Sequence, residues 1–360
     1  MKQMKKHVMI LFVILLLAAC SNNQEAGEQQ TEEPDQQEET DEQNGESEPP
    51  EENEEPTHEG VYPLTGEQAK GNADNRVLAV MVNNLSKARP QTGLTKADIV
   101  YEALAEGTIT RFLAMYHSNS PEEIGPVRSA RPYFFQLAAG MDALYTYHGA
   151  SHAINQQLVN SGVEFLNGST YDNDGKLFKR VPYREAPHDS YVLPGGVSDV
   201  AEAKGYALEN EIEPLPFASE GETKLQNGQS VSNVEIVYAQ SPQNIVSYHY
   251  DETSGKFARS SDGQPTAEYH TDEQVAVENV FIVETGHQIV DDAGRREIDL
   301  TSGGEGYLLQ KGKLYEVNWQ NTDGRILPYQ DGEPVSFVPG QTWVNIVPEN
   351  PGIEQSISVN

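Results

Sequence analysis

The sequence predicts an α+β fold, with a mixed α/β N-terminal domain over residues 61–215 followed by a mainly antiparallel β domain over 230–360. Three patterns predict it. Between residues 76 and 210, short apolar runs of strand length alternate with stretches of helix length, as in mixed α/β layering. Between 234 and 347, β-rich runs recur at short intervals with Gly, Asp and Pro between them. Before residue 61 a single apolar run, at the N-terminus, is the one stretch able to enter a core.

That run has a specific outline. Lys2, Lys5 and Lys6 precede twelve apolar residues, Val8 to Ala19, which end in Leu17-Ala-Ala-Cys20. A basic start, a short apolar middle and small residues before a cleavage point describe a signal peptide, here 1–19. A membrane-spanning helix needs about 17–25 apolar residues. The Leu-Ala-Ala-Cys ending resembles a bacterial lipobox, which implies cleavage before Cys20 and lipidation of its thiol. The alternatives are an uncleaved anchor or a buried thiol. Two or more acyl chains hold a protein at a bilayer firmly, at about 0.8 kcal/mol per buried methylene. Cys20 is the single cysteine, so no intramolecular disulfide supports the fold. Residues 21–60 carry 16 Asp and Glu and no Lys or Arg. Such a segment cannot offset its chain entropy by burial, so 20–60 reads as a lipidated Cys20 and a disordered acidic linker. A flexible coil of that length reaches roughly 35 Å. Its expected role is spacing, with ligand binding as the alternative.

The formal charge of −32 is unevenly spread. Residues 61–191 hold 12 basic and 13 acidic side chains, whereas 192–360 hold 9 and 27. So acidic a chain excludes duplex nucleic acid as a partner and argues against lying flat on an anionic membrane.

Within the first half, Arg76–Val82, Asp98–Leu104, Ile109–Tyr116 and Ala143–His148 read as strands, the second and third as a hairpin through Glu106-Gly107. Pro132–Ala139, Ser151–Asn160 and Val197–Leu208 read as helices. The stretch Gly125-Pro-Val-Arg-Ser-Ala-Arg-Pro-Tyr-Phe134 anchors the functional reading. Arg128 and Arg131 stand three apart at a turn-to-helix junction, and Pro132 starts the helix. A helix start is electropositive and has free N–H groups, so two arginines there form an anion site. The alternative is that both pair with carboxylates and tie segments together. Asp98, Glu102 and Glu106 share strand parity, and Arg111, Arg128 and Arg131 are their expected partners, either as a buried network or as a cleft for acid–base chemistry.

His148-Gly-Ala-Ser151-His-Ala153 has the outline of a nucleophile elbow but with Ala at its last position. As a nucleophile Ser151 needs His188 as base and Asp189 or Asp199 as orienting acid; the favoured reading is a helix N-cap. Asp172-Asn-Asp-Gly175 reads as a turn, because a calcium loop needs a different spacing and a late Glu. No metal site and no cofactor are expected.

In the second half, strands are expected at Val234–Tyr238, Ile245–Tyr250, Lys256–Arg259, Val280–Glu284, Glu297–Leu300, Gly306–Gln310, Lys313–Trp319, Val335–Phe337 and Thr342–Val347. Trp319 and Trp343 are read as core, with sugar stacking as the alternative.

Taken together, Ala88-Arg-Pro-Gln-Thr-Gly-Leu94, Tyr101-Glu102, Glu106-Gly107 with Arg111, Gly125–Arg131, His148-Gly-Ala-Ser151, Pro187-His188 and Pro339-Gly-Gln-Thr-Trp343 resemble the YerB family of Gram-positive lipoproteins. The resemblance covers nearly all of 76–350. It implies two domains of unknown function and a lipid-anchored protein on the outer face of the cytoplasmic membrane; it implies no activity. From the residues, the expected function is binding of an anionic or glycan envelope component by Arg111, Arg128, Arg131, His148 and Ser151. One alternative is a wall-glycan hydrolase with Glu102 or Glu106 as acid and His188 as base. Another is a protein-interaction scaffold at the membrane. The expected partners are the membrane, through the anchor, and a wall polymer or envelope protein.

Overall fold

The computed structural model describes residues 60–219, 225–238 and 244–360. The signal peptide, Cys20 and nearly all of the acidic linker lie outside the described residues. The first half supplies β1 (Leu78–Asn83), β2 (Ile99–Leu104), β3 (Thr110–Tyr116), α1 (Pro132–Ala139), β4 (Leu144–Tyr147), α2 (His152–Ser161), β5 (Phe165–Asn167), β6 (Phe178–Arg180), β7 (Ser190–Val192) and α3 (Val197–Lys204). The second supplies β8 (Gln229–Ser230), β9 (Asn233–Val237), β10 (Ile245–Asp251), β11 (Lys256–Ser261), β12 (Gln264–Pro265), β13 (Ala276–Val277), β14 (Asn279–Thr285), β15 (His287–Ile289) and β16 (Arg296–Ile298). It continues with β17 (Gly304–Gln310), β18 (Lys313–Thr322), β19 (Arg325–Gln330), β20 (Glu333–Pro334), β21 (Thr342–Pro348), α4 (Ile353–Ser356) and β22 (Ile357–Val359). The fold is α+β, strand-rich, with a mixed first half and a mainly antiparallel second half.

One large sheet crosses both halves in the order β20-β19-β18-β17-β14-β21-β2-β3-β1-β4-β5. Strand β21 lies between β14 and β2 and is parallel to both, with Val344 opposite Phe281 on one side and Tyr101 on the other. It is therefore an exception to the antiparallel pattern of its half. Strands β1, β2, β14 and β21 are buried on both faces, which is why they read as mainly apolar runs, interrupted by Glu102 in β2 and Asn345 in β21. Alternation still sorts their side chains. Ala79 and Met81 enter one core with Tyr133, Phe134, Ile154 and Leu158 from α1 and α2. Leu78, Val80 and Val82 enter the other, with Val234, Ile236, Tyr248 and Phe257 from the second sheet. Helices thus cover one face and the smaller sheet β12-β11-β10-β9-β22 helps cover the other. The halves also touch backbone to backbone: a Cβ on Gly140, at the end of α1, would lie 2.2 Å from the Gly324 carbonyl in the β18–β19 turn.

Several sequence expectations need adjusting. Helix α3 stops at Lys204 because Gly205 takes the left-handed conformation (φ +75°) that ends helices. Residues 335–337 are not a strand; Phe337 makes a single bridge to Phe217. Trp319 and Trp343 are both fully buried, so they are core and not a sugar platform. Asp174 Oδ1 accepts from the N–H groups of Lys176, Leu177 and Phe178, as a turn side chain does.

The main correction concerns Glu102. Antiparallel register sets Glu102 opposite Phe112 and Ala103 opposite Arg111, so Glu102 and Arg111 face opposite sides of the sheet. Glu102 instead bonds Arg259 of β11 at 2.7 Å, and neither side chain has any water access. Thr110 Oγ1 (2.8 Å), Asn84 Nδ2 (3.3 Å) and Trp343 Nε1 (3.1 Å) also donate to this carboxylate. The guanidinium packs against the edge-to-face pair of Trp343 and Phe112, 4.5 and 5.2 Å from their centroids. Among the described residues Asp98 likewise has no arginine partner; it accepts from the His117 and Ser118 backbone N–H groups and the Ser118 hydroxyl, and burial pushes its pKa up to about 6.

Removing one partner of a buried ion pair leaves an uncompensated charge, at a cost of about 3–5 kcal/mol. Arg259→Ala and Glu102→Leu should each lower the unfolding free energy by about that much in urea titrations. The Glu102→Leu/Arg259→Met double variant should lose less than either single change. A loss under about 1 kcal/mol for both single variants would contradict the pairing.

Candidate functional site

The loop carrying Arg128 is fixed through its backbone. Arg128 N–H donates to the Met81 carbonyl (2.9 Å), His148 N–H donates to Arg128 O (3.0 Å), and Ala130 N–H donates to Gly149 O (3.1 Å). The loop is therefore stitched to the carboxyl ends of β1 and β4, which are parallel neighbours. A third segment joins them, with Val127 N–H donating to Ser190 O at 2.7 Å. Arg131, in extended geometry, is the N-cap residue of α1, and Ser151 is that of α2. Two helix starts thus follow paired loops beside the carboxyl ends of parallel strands, where open α/β sheets gather ligands.

The three arginines of this region divide into two kinds. Glu106 bonds both Arg111 (2.8 Å) and Arg131. Both guanidiniums are almost wholly buried, and burial shifts their pKa values downward. Each Glu106 oxygen is thus held by one guanidinium. Arg128 differs. Among the described residues it has no carboxylate partner; one Nη1 bond reaches the Pro187 carbonyl at 3.4 Å, and its buried Nε has no acceptor. Burial, and then the charge of Arg111, lower its pKa. Two guanidiniums share the Glu106 carboxylate and the third, Arg128, is unpaired among the described residues, so the three arginines outnumber the carboxylate that pairs with them.

Two imidazoles flank Arg128. Asn83 Oδ1 accepts from Leu85 N–H (3.0 Å), which turns the Asn83 amide N–H toward His188 Nδ1 at 2.9 Å. The neutral His188 ring must accept there, so Nε2 carries the proton as a donor. His148 Nδ1 meets Ser190 Oγ at 2.6 Å. Its ring fits because residue 168 is glycine: a Cβ there would lie 2.7 Å from His148 Nδ1. Burial lowers the pKa of both imidazoles; Arg180 lowers that of His148 further, and Arg128 that of His188. Both are neutral at pH 7.

The structure therefore brings together Arg128, His148 and His188 near the start of α2, and sets Arg111 and Arg131 beside them as a pair clamped by Glu106. It does not bring Glu102 to them. Nor does it assemble a serine hydrolase. Ser151 Oγ accepts from Ile154 N–H (3.3 Å), His188 bonds Asn83, and Asp189 bonds Arg180 at 2.7 Å. Sequence reasoning missed Asn83 and Ser190, which orient the imidazoles. Their positions at the end of β1 and the start of β7 were the available signal.

Residues 64–207 match the model of the N-terminal domain, and residues 234–344 that of the C-terminal domain, of a protein family of unknown function, DUF3048. The chain belongs to the DUF3048 family. Every member of the arginine–histidine group lies in the N-terminal DUF3048 match. The chain is similar to YerB, a candidate lipoprotein of Bacillus subtilis (strain 168), with 46% identity over 289 residues, covering 80% of this chain and 86% of YerB. It is also similar to the crystal structure of YerB protein from Bacillus subtilis, with a TM-score of 0.75 at 43% identity, covering 83% of this chain and 99% of that one.

If Ser151 is an N-cap, Ser151→Ala should lower stability by about 0.5–2 kcal/mol. Intact-mass analysis should find Ser151 unlabelled by a fluorophosphonate in the unaltered protein. Covalent labelling at Ser151 would reverse this assignment.

Proposed function

We propose that this DUF3048 protein is a lipid-anchored envelope protein that binds a phosphate- or carboxylate-bearing envelope polymer at Arg128. The anchor rests on the Leu17-Ala-Ala-Cys20 sequence and on the likeness to a candidate lipoprotein. In this reading the acidic linker is a spacer between the anchor and the folded part. The observation that carries the ligand class is the Arg128 guanidinium: half-buried, without a carboxylate among the described residues, and with a buried N–H lacking an acceptor. Buried donors in native proteins are nearly always satisfied; Arg131 and Arg259 also have an Nε–H without an acceptor, but both are paired with carboxylates, whereas Arg128 is not, which suits it to an incoming acceptor. His188 Nε2–H and the first turn of α2 add donors around it.

The acid–base alternative gains less support. A hydrolase needs a carboxyl group within reach of a glycosidic oxygen. Glu102 is enclosed with Arg259, and Glu106 is held by two guanidiniums.

The test is calorimetric titration of the detergent-solubilised full chain with a poly(glycerol phosphate) oligomer. Arg128→Ala should weaken binding about tenfold or more, as expected for loss of charge-assisted hydrogen bonds. The sign of the pH dependence follows from the imidazoles. They are neutral in the unliganded protein and favour protonation beside an anion, so binding takes up protons. Affinity should therefore rise as pH falls from 7.5 to 5.5. The phosphodiester keeps its charge across that range. Equal affinity with and without Arg128, or affinity rising with pH, would remove the proposal.

A further inference from the structure

His188 has more cations around it than Arg128. The imidazole stands where three segments meet. Its Nδ1 accepts from Asn83 at the end of β1, and its backbone N–H donates to the Glu185 carbonyl of its own loop. Arg128, from the third segment, donates to the carbonyl of the preceding residue, Pro187. Two further cations belong to these segments. Lys87 is four residues past Asn83, in the short 3-10 turn Ser86–Ala88, and is exposed. Arg184 is four residues before His188 and is half-buried. Besides burial, the charges of Arg128, Arg184 and Lys87 lower the His188 pKa, and Asp189 opposes them.

Arg184 is held by neutral groups. Its Nε donates to the Tyr191 hydroxyl (2.7 Å), its Nη2 donates to the Pro90 carbonyl, and its guanidinium lies 4.8 Å from the Tyr269 ring centroid. The Pro90 bond ties the 181–189 loop to the chain just after Lys87. Among the described residues neither Arg184 nor Lys87 pairs with a carboxylate, whereas the neighbouring acids mostly have partners. Asp189 bonds Arg180 at 2.7 Å, and Asp262 bonds Arg89 at 2.6 Å. Glu185, exposed on the same loop, is the carboxylate of that loop without an ion pair among the described residues. Three cations from three segments thus stand against one unpaired acid.

We propose that Lys87 and Arg184 extend the Arg128 site past His188 into a track for successive phosphates of one polyanionic chain. This inference rests on the reading of Arg128 as an anion site and adds what selects the ligand. A single phosphodiester carries one charge, which Arg128 and the His188 N–H meet by themselves. Lys87 and Arg184 are then in excess and suit further charges on the same molecule. Once one phosphate is seated, its neighbours bind from a high effective concentration, so a repeating chain is preferred over a single unit. The fixed Arg184 fork supplies directed hydrogen bonds, and the exposed Lys87 supplies a point charge.

The test compares two probes on the detergent-solubilised full chain. Glycerophosphoglycerol, with one phosphodiester, is titrated by NMR on the histidine ring signals; a poly(glycerol phosphate) oligomer of six repeats is titrated by calorimetry. Lys87 is exposed and makes no ion pair among the described residues, so Lys87→Ala should keep its melting temperature. It should weaken oligomer binding about tenfold and leave the one-phosphodiester affinity unchanged, as should Arg184→Gln where it folds. Lys313→Ala, which removes an exposed lysine of β18, should leave oligomer binding unchanged. Arg128→Ala should weaken both probes. The proposal is overturned if Lys87→Ala binds the oligomer as the unaltered chain does. It is equally overturned if Lys313→Ala weakens the oligomer as much, or if Lys87→Ala weakens both probes alike. Unchanged binding of both probes by Arg128→Ala would instead remove the anion-site reading, and this inference with it.

Discussion

The carboxylate of Glu102 and the guanidinium of Arg259 meet where water has no access, and much of the molecule is arranged around that meeting. One partner comes from the first half of the chain and the other from the second. Neither is tolerable alone in an apolar interior. Trp343, from β21, donates to the same carboxylate and packs on the same guanidinium. Asn84 and Thr110 complete the shell. Asn84 is in turn held by Arg89, whose guanidinium reaches Asp262 at 2.6 Å. The Arg-Pro-Gln motif is therefore part of a polar joint between halves. Its neighbour β21 completes the joint by entering the large sheet between β2 and β14.

This arrangement has consequences for the site. The anion-binding candidate is built from loops at the ends of β1 and β4, strands that the joined sheet holds in place. A protein with a net charge of −32 thus gathers three arginines at one junction, where Glu106 pairs with two of them and Arg128 has no carboxylate partner among the described residues. The surrounding negative charge would repel polyanions at long range, and salt would screen that repulsion. Recognition of an anion here is consequently a matter of close hydrogen bonding and not of long-range attraction.

Local features were legible in the sequence because they depend on neighbours along the chain. The start of α1 at Pro132, the N-cap at Ser151 and the turn at Asp174 all follow from local backbone chemistry. The doubly buried strands were legible from their mainly apolar runs, although Glu102 interrupts β2 and Asn345 interrupts β21. Pairings across the fold were not. Parity placed Glu102 and Glu106 on one face, but the turn after Leu104 carries Glu106 to Arg111 and Arg131 while Glu102 stays on the Arg259 side. Arg259 read as the last residue of a strand. Glu123 and His270 are 147 residues apart, and no sequence pattern links them. The parallel seating of β21 was equally hidden, because strand direction is set by the sheet it joins.

The central claim is that the two halves form one cooperative body, joined through β21 and the Glu102–Arg259 pair. Native-state hydrogen exchange tests it most directly. The slowest amides of β1 to β3 and those of β17 and β18 should open with the same free energy, equal to that of global unfolding. If the second half exchanged at a clearly lower free energy while β1 to β3 stayed protected, the halves would be independent and the account would fail.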